Sequence, residues 1–468
     1  MKDTNRKLTL VINEENDTTH PSNLNENEGY SWTFFDQKNA ELLNVSSSQI
    51  FRTDYKSIII RIAPIKECDF IIANITNLLT SKLTWCIKTI KYVLANFNPM
   101  NITFVCRLAD RNQRLNFMLN NAIFSLVEGI KLETQFLKWS WSFYMVKNFH
   151  SFTEIKKINP DKKNNRFVYF PFSINLGLYL TNRGWKVPHN QITNDWKLSD
   201  LINKVCIVTG ASGGIGLKIA QSFCNSGCKV YSLSRSVKND EKIHFLKCDV
   251  GSYENIQQNI DLIIKKEKRL DFLVNNSGYG IAGPIEETDI DEFVNMLRIN
   301  FFAQIFTINS SINHLKNNHG VIFNIGSMGG IFSIPFQVLY SVSKNLIDSY
   351  TELISSELNA MGINVCNIMP GDTKSNFGKH RQKFLLSNRK YKKIFLPSLS
   401  KMEKLEKNGH SPQKIADLVK KTLLMKKIPL KTTVGKYRFF FWLGRLLSFK
   451  KILKVLEKVF IKKIKSRD

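Results

Sequence analysis

The chain has 468 residues, enough for two or three domains, and its hydrophobic and charged contents of 43% and 23% are those of a soluble globular protein. It contains no run of about 18 apolar residues, no apolar leader and no cysteine spacing typical of zinc. We therefore expect a cytoplasmic protein without a membrane-spanning helix, a secretory signal or a metal site. The formal net charge of +28 has two interpretations, a solvated basic surface or an acidic partner such as a membrane or a nucleic acid.

The first part of the chain combines two kinds of sequence. Residues 1–50 are polar and rich in asparagine, which predicts a poorly ordered segment. Between 51 and 190, apolar runs typical of strands alternate with longer helical patterns, and this alternation predicts a parallel α/β layer. The predicted strands are 57–63, 69–75, 101–105 and 167–172, and the predicted helices are 83–96 and 117–138.

A second α/β segment covers residues 200–430. It contains short apolar strands separated by helices, the pattern of a doubly wound parallel sheet. The predicted strands are 204–208, 229–233, 245–248, 271–275, 320–325 and 364–368, and the predicted helices are 215–226, 253–268, 289–315 and 338–359.

A glycine-rich loop follows the first strand of this segment and reads TGASGGIG from Thr209 to Gly216. Glycines at a strand-to-helix turn let the backbone approach the pyrophosphate of a dinucleotide, and the helix N-terminus offers free N–H groups to phosphates. Taken alone, the loop also fits a tight turn that binds nothing. The residues further along the chain decide between the two.

These later residues resemble, in order and spacing, the motifs of the classical short-chain dehydrogenase/reductase family. The resemblance covers roughly half of the chain and begins with the glycine loop, which is similar to the family's TGxxxGxG. The sequence YSVSK from Tyr340 to Lys344 is similar to its YxxxK. The other matching elements are Cys248-Asp249-Val250, Asn275-Asn276-Ser277-Gly278, Asn300, Ser327 and the turn Pro370-Gly371, whose Thr373 comes one residue early.

The resemblance implies a fold, a reaction and a set of site residues. The fold is α/β, a Rossmann-type doubly wound parallel sheet, and the reaction is hydride transfer between a carbonyl compound and a nicotinamide cofactor. A homodimer or homotetramer is compatible with it. The implied catalytic residues are Asn300, Ser327, Tyr340 and Lys344. The implied cofactor-binding residues, besides Tyr340 and Lys344, are Thr209, Gly210, Ser212, Gly214, Ile215, Gly216, Arg235, Asp249, Val250, Asn276, Gly278, Pro370, Gly371 and Thr373.

The spacing of Tyr340 and Lys344 suits proton transfer to a carbonyl oxygen. Residues four apart share one helix face, and an ammonium beside a phenol stabilises the phenolate, so we expect a lowered pKa for Tyr340. The resemblance implies that Lys344 also holds the nicotinamide ribose, that Ser327 orients the carbonyl, and that Asn300 holds a water linking Lys344 to solvent. Without the motifs upstream, such a tyrosine and lysine would be read as a packing residue and a solvated one.

The end of the second strand indicates the form of the cofactor. A carboxylate there binds the ribose 2′-OH of NAD, whereas an arginine pairs with the 2′-phosphate of NADP. The sequence has Arg235 and no acid at this point, which favours NADPH. Ser212 occupies a position where some relatives carry a second basic residue, and it weakens this indication slightly.

The segment 51–190 resembles part of the second one. DFIIAN at 69–74 aligns with DFLVNN at 271–276, but no glycine loop precedes it, and small or apolar residues replace the Tyr-Lys pair. This pattern predicts a second, degenerate α/β subdomain at the N-terminus that binds no cofactor, of the kind that polyketide-type ketoreductases carry. The alternative is that any two α/β segments align this well.

The C-terminal segment 437–468 is basic and amphipathic, with apolar residues from Phe449 to Phe460 on one helical face and lysines around it. This pattern is typical of a helix at the surface of an anionic membrane, and equally of one packed over its own domain. The first alternative would place the protein peripherally at the membrane and favour a hydrophobic substrate. No motif for nucleic-acid recognition accompanies the basic charge.

The combined motifs predict an NADPH-dependent reductase of a ketone of acyl, lipid or polyketide-like character. Two alternatives stand beside this interpretation: an alcohol dehydrogenase working in the reverse direction, and a non-catalytic NADP-binding scaffold. The complete set of Asn300, Ser327, Tyr340 and Lys344 argues against the scaffold.

Overall fold

The computed structural model divides the chain into two compact units, Met1–Phe170 and Pro171–Asp468. The strands predicted at 69–75 and 167–172 and the amphipathic segment 437–468 lie outside the described residues. No described helix is long and apolar enough to cross a membrane. The described residues are 7–13, 30–35, 57–62, most of 79–91, 101–107, 114–133, 140–146, 193–384 and 389–435.

The first unit contains a five-stranded parallel sheet with the strand order β2-β1-β3-β4-β5. Its strands are β1 (Lys7–Asn13), β2 (Tyr30–Phe35), β3 (Ser57–Ile62), β4 (Asn101–Arg107) and β5 (Ser140–Val146), and helix α1 spans Arg114–Glu133. β3 and β4 coincide with strands predicted from the sequence.

Two of these strands, β1 and β2, lie within residues 1–50, where the sequence predicted poor order. The apolar positions of KLTLVIN in β1 alternate as in a strand, but the polar, asparagine-rich flanks dilute this short pattern. The interpretation of the unit as a degenerate subdomain that binds no cofactor stays a prediction.

The second unit contains a seven-stranded sheet with the order β14-β12-β11-β9-β6-β7-β8, and every pairing in it is parallel. The predicted doubly wound Rossmann-type sheet is thus confirmed for this unit. Its strands are β6 (Val205–Thr209), β7 (Lys229–Ser234), β8 (Ile243–Lys247), β9 (Phe272–Asn275), β11 (Val321–Ile325), β12 (Asn364–Ile368) and β14 (Lys431–Thr432). A separate parallel pair joins β10 (Ile281–Ala282) to β13 (Gln382–Lys383).

The helices of the second unit connect its parallel strands. The predicted helix 289–315 is divided in two by a π-helical turn at Arg298–Phe302. The helices are α2 (Gly214–Cys224), α3 (Tyr253–Glu267), α4 (Ile290–Leu297), α5 (Ala303–Lys316), α6 (Val338–Ala360), α7 (Arg389–Lys407) and α8 (Pro412–Leu423).

The sheet is buried along its central strands. Every residue of β6, β9, β11 and β12 is buried, which explains why these strands read as continuous apolar runs and not as alternating ones. β6 pairs with β7 on one side and with β9 on the other. Successive strands are therefore added on one side of β6 up to β8 and on its other side from β9 onwards. In open α/β sheets, ligands bind at the carboxyl ends of the strands at such a point.

A buried ionic cluster attaches the last strand to α6. Lys431 of β14 pairs with Asp348 at 2.7 Å and with Glu352, and Asn367 donates to Asp348 at 2.9 Å. Burial alone would lower the pKa of Lys431, but the two carboxylates raise it above the usual value. The cluster therefore holds an ammonium between two carboxyl groups, and each depends on the others for its charge.

We predict that Lys431→Met destabilises the protein by about 3–5 kcal/mol, because it leaves the buried Asp348 and the half-buried Glu352 without a cation. The measurement is the free energy of unfolding from denaturant titration. Lys383→Met is the matched control, since the side chains of Lys383 and Glu403 are 40% and 39% exposed and their 2.7 Å pair lies at the surface. Equal losses for the two variants would show that burial of the cluster does not determine its contribution.

Candidate active site

The glycine loop between β6 and α2 is fixed by the neighbouring strand β9. The backbone N–H groups of Asn276 and Ser277 donate to the Thr209 hydroxyl at 2.9 and 3.0 Å. The Asn276 amide donates in turn to the carbonyl oxygens of Thr209 and Gly210, at 3.0 and 3.2 Å. A Cβ at Gly216 would lie 2.4 Å from this amide nitrogen. Only glycine therefore lets α2 approach Asn276 this closely.

The N-terminus of α2 presents free backbone to the solvent side of the loop. Gly210 and Gly214 have positive φ values of 69° and 58°, which turn the chain into the helix. A Cβ at Gly213 would meet nothing within 4 Å, and Ser212 and Ile215 beside it are partly buried. This open cradle at a helix N-terminus fits the pyrophosphate of a dinucleotide.

The predicted adenosine-binding residues lie at the ends of β7 and β8. Arg235 is exposed immediately after β7. Asp249 is exposed, its carboxylate accepts from the Gly251 N–H at 2.9 Å, and the neighbouring Val250 is buried. The structure thus places an exposed cation at the end of β7 and a buried apolar side chain after the end of β8.

Tyr340 and Ser327 meet across the carboxyl end of the sheet. Ser327 follows β11, and Tyr340 lies in the first turn of α6. The pKa of Tyr340 is raised to about 12, because the effect of burial is larger than the opposite effect of a hydrogen bond from Ser327. Ser327 is itself held by the Gly329 N–H, which donates to its hydroxyl at 3.0 Å.

Lys344 lies one turn further along α6, on the same face as Tyr340. Its Nζ is 5.9 Å from the centre of the Tyr340 ring and donates to the carbonyl oxygen of Ile325 at 2.9 Å. Burial lowers the pKa of Lys344 to about 8. The sequence predicted a lowered pKa for Tyr340, whereas in the structure desolvation of its phenol outweighs the neighbouring charges.

Asn300 joins the pair through the π-helical turn between α4 and α5. Its amide nitrogen donates to the Tyr279 carbonyl at 2.9 Å and to the Ser343 hydroxyl at 3.0 Å, while its oxygen accepts from the Tyr279 N–H at 2.9 Å. A Cβ at Gly278 would lie 3.0 Å from this oxygen and 3.6 Å from Lys344 Nζ. Gly278, Asn300 and Lys344 therefore line one small space, and π-helical turns are frequent at functional sites.

The turn after β12 closes the site from the other side. The Pro370 carbonyl accepts from the Met328 N–H at 2.9 Å, which holds the turn against the residues that follow β11. The Thr373 hydroxyl donates to the Gly371 carbonyl at 2.9 Å. All the residues predicted for the site thus lie along the carboxyl edge of one sheet.

Comparisons with known proteins agree with this arrangement. The chain matches the short chain dehydrogenase family over residues 204–385. It is 34% identical over 236 residues to 3-ketodihydrosphingosine reductase of Bacteroides thetaiotaomicron, covering 50% of this chain and 88% of that relative. The chain belongs to the short-chain dehydrogenase/reductase family.

The chain is also similar to other dehydrogenases. Sorbitol-6-phosphate 2-dehydrogenase of Klebsiella pneumoniae is 31% identical over 192 residues, covering 38% of this chain and 71% of that enzyme. A short-chain dehydrogenase from Streptomyces avermitilis of known structure is 27% identical in sequence to this chain. The two structures superpose with a TM-score of 0.49 over 55% of this chain and 97% of that one. As a short-chain dehydrogenase/reductase, the chain is an oxidoreductase that interconverts ketones and alcohols with a nicotinamide cofactor.

Two residues that pack beside Tyr340 are not among those named from the sequence. Phe377 packs its ring 5.5 Å from that of Tyr340, and Arg381 lies 5.8 Å from the Phe377 ring. No local motif surrounds either residue, so the sequence offered no signal for them. The described residues contain no cluster of three or more histidine, cysteine or carboxylate side chains that could hold a metal ion.

We predict that alanine at two glycines of the loop affects two different properties, stability at Gly216 and dinucleotide binding at Gly213. Gly216→Ala should lower the free energy of unfolding by about 1–3 kcal/mol, because its methyl overlaps the Asn276 amide. Gly213→Ala should keep stability within about 0.5 kcal/mol, since its φ of −173° suits any residue, yet weaken dinucleotide binding by filling the open cradle. Denaturant titration and calorimetric binding of NADPH measure the two effects. Unchanged binding by Gly213→Ala would place the cofactor elsewhere.

Proposed function

We propose that the protein is an NADPH-dependent reductase that converts a hydrophobic ketone to an alcohol, with Tyr340 as the proton donor. The observation that carries this proposal is the buried contact between Tyr340 and Ser327, with Lys344 one helical turn away, at the edge that also holds the glycine loop. Ketone reduction needs a proton donor at the carbonyl oxygen beside a bound hydride source. The four implied catalytic residues supply the protein's share of this arrangement.

Tyr340 is suited to give a proton and not to take one at neutral pH. Burial raises its pKa to about 12, so its phenol remains protonated until the substrate oxygen develops negative charge. Ser327 reaches the same phenolic oxygen and would hydrogen-bond the carbonyl, which fixes its oxygen within reach of Tyr340. These two hydroxyl groups define where the carbonyl oxygen lies.

Lys344 and Asn300 would return the proton to Tyr340 after each turnover. The pKa of Lys344, lowered by burial to about 8, lies near neutrality, where an ammonium can give up and regain a proton. Asn300 is anchored by three hydrogen bonds and lies with Lys344 beside Gly278. We infer that a water held by Asn300 connects the ammonium to solvent.

The cofactor would be held by the glycine loop and by residues along the carboxyl edge of the sheet. When bound there, NADPH supplies the hydride for the ketone carbon. Arg235 would pair with its 2′-phosphate, because the end of β7 carries a cation and no carboxylate. The remaining implied residues would bind it as follows: Thr209, Gly210, Ser212, Gly214, Ile215 and Gly216 at the pyrophosphate, Asp249 and Val250 at the adenine, and Asn276, Gly278, Pro370, Gly371 and Thr373 nearer the nicotinamide.

We infer a hydrophobic substrate from the apolar side chains that the otherwise basic segment 376–407 buries next to the site. The ring of Phe395 on α7 packs 5.3 Å from that of Phe336, and Met402 on the same helix is buried. Phe377 covers the Tyr340 ring. The relative named 3-ketodihydrosphingosine reductase supports a ketone of lipid character. Association of the segment 437–468 with an anionic membrane stays a prediction, and it would suit the same substrate.

We predict that Tyr340→Phe lowers turnover at least about a hundredfold, because the positioned acid is lost, while NADPH binding survives. Ketone-dependent NADPH oxidation, screened against a panel of ketones and acyl thioesters, measures turnover. Tyr350→Phe is the matched control, since Tyr350 lies on the same helix and packs on Phe301 at 5.9 Å instead of facing the site. A Tyr340→Phe enzyme with more than about a tenth of the original turnover would contradict the assignment.

We predict that Arg235→Ala weakens NADPH binding by about 1.5–3 kcal/mol, the contribution of a hydrogen bond to a charged group, and leaves NADH binding nearly unchanged. Calorimetric titration with each cofactor is the measurement. Lys238→Ala, which removes an exposed cation from the same loop, should affect neither. Equal losses of NADPH and NADH binding by the Arg235 variant would show that this residue does not bind the 2′-phosphate.

A further inference from the structure

Arg381 is a buried arginine beside the proposed active site. It follows the short 3₁₀ helix Asn376–His380 and precedes β13, whose pairing with β10 fixes its backbone. Its side chain is 0% exposed. Charged side chains are almost never fully buried unless every donor has a partner.

The partners of this guanidinium are incomplete. Nη2 donates to Glu406 of α7. Nε and Nη1 are buried and have no hydrogen-bond partner within the described part of the chain. An unsatisfied buried donor costs about 1–3 kcal/mol, and more when it is charged, so these donors need an acceptor.

The unpaired donors lie close to the proposed proton donor. Arg381 and Tyr340 contact the same aromatic ring, that of Phe377, at 5.8 and 5.5 Å. The charge of Arg381 is also near enough to lower the pKa of Tyr340 against the larger effect of burial. A Cβ at Gly280 would lie 3.0 Å from Phe377 and 3.7 Å from Arg381 Cγ, so backbone closes this region from one side. An acceptor for Arg381 would therefore lie beside the Phe377 ring, on which Tyr340 also packs.

The surrounding charges decide what kind of acceptor fits. Glu406 already balances the charge of Arg381, and Asp372 and Glu403 add negative potential at the Glu406 carboxyl. A second buried anion would be repelled by these carboxylates without a cation of its own. An uncharged oxygen, such as a hydroxyl or a second carbonyl, gains the hydrogen bonds without that cost.

From this arrangement we propose that Arg381 is a specificity-determining residue that binds a second, uncharged oxygen of the substrate, next to the ketone reduced at Tyr340. The substrate class is then a hydrophobic ketone with a neighbouring hydroxyl or carbonyl group, not a simple ketone and not a keto acid. This inference rests on the proposed function, because it assigns the ketone to the Tyr340 site.

The test measures ketone binding without turnover. NADP⁺ cannot reduce a ketone, so the full-length protein saturated with NADP⁺ is titrated with three compounds of equal chain length. They are a β-hydroxyketone whose hydroxyl is tertiary and so has no hydride to give to NADP⁺, the simple ketone, and a keto acid. The wild type should bind the β-hydroxyketone about 10- to 100-fold more tightly than the other two, as expected for a hydrogen bond to a charged donor. Arg381→Met should remove this preference and leave the affinity for the simple ketone unchanged.

Two further variants separate recognition from folding. Arg381→Lys keeps a cation opposite Glu406 but lacks the separate donors of the guanidinium, so it should keep thermal stability and lose the preference. Lys383→Met breaks the pair of Lys383 with Glu403, which joins the same two segments at 2.7 Å but is 40% exposed, and it should keep the preference.

The outcomes are distinct from those that test the proposed function. Equal wild-type affinity for the three compounds, or no ketone binding at all, would overturn the role of Arg381, whether or not NADPH oxidation is observed. A wild type that prefers the keto acid would identify an anion site instead. If both Arg381 variants lose affinity for the β-hydroxyketone and the simple ketone alike, the residue is structural and the inference is wrong.

Discussion

The site depends on the hydrogen bonds that join the carboxyl ends of β6 and β9. Thr209 and Asn276 bind each other's backbone, and together they fix the glycine loop, the start of α2 and the position of Gly278. β6 and β9 are adjacent at the point where the strand order changes direction. The contact between their carboxyl ends therefore places the glycine loop beside the residues proposed for catalysis. It thus joins two loops whose contacting residues are 67 positions apart in the chain.

Burial of charge is the second constraint on this structure. Lys344, Arg381 and Lys431 are all withdrawn from water, but they differ in how far their donors are satisfied. Lys431 has two carboxylate partners, whereas Lys344 has one backbone carbonyl and Arg381 keeps unpaired donors. Buried charges that are fully paired serve the fold, and those with unused donors are candidates for ligand contacts. This difference separates the structural cluster at β14 from the groups around Tyr340.

Much of the fold could be predicted because its signals are local. Each central strand is a short apolar run, and the loop from Thr209 to Gly216 and the pair Tyr340–Lys344 each lie within a few residues. The strands β1 and β2 were missed because their patterns are short and their flanks polar. The break of the predicted helix 289–315 at Asn300 was missed as well, since a π-helical turn has no reliable signal in one sequence.

The sequence by itself determined the family of the second unit, the chemical types in its site and the cation at the end of β7, because each is encoded by neighbouring residues. Tertiary structure alone decided the raised pKa of Tyr340, since desolvation depends on everything packed around the phenol. It also brought Arg381 to Glu406 across 25 positions and Lys431 to Asp348 across 83. No pattern of period two or 3.6 encodes such pairs, because the contacts exist only after the sheet and its covering segment have assembled.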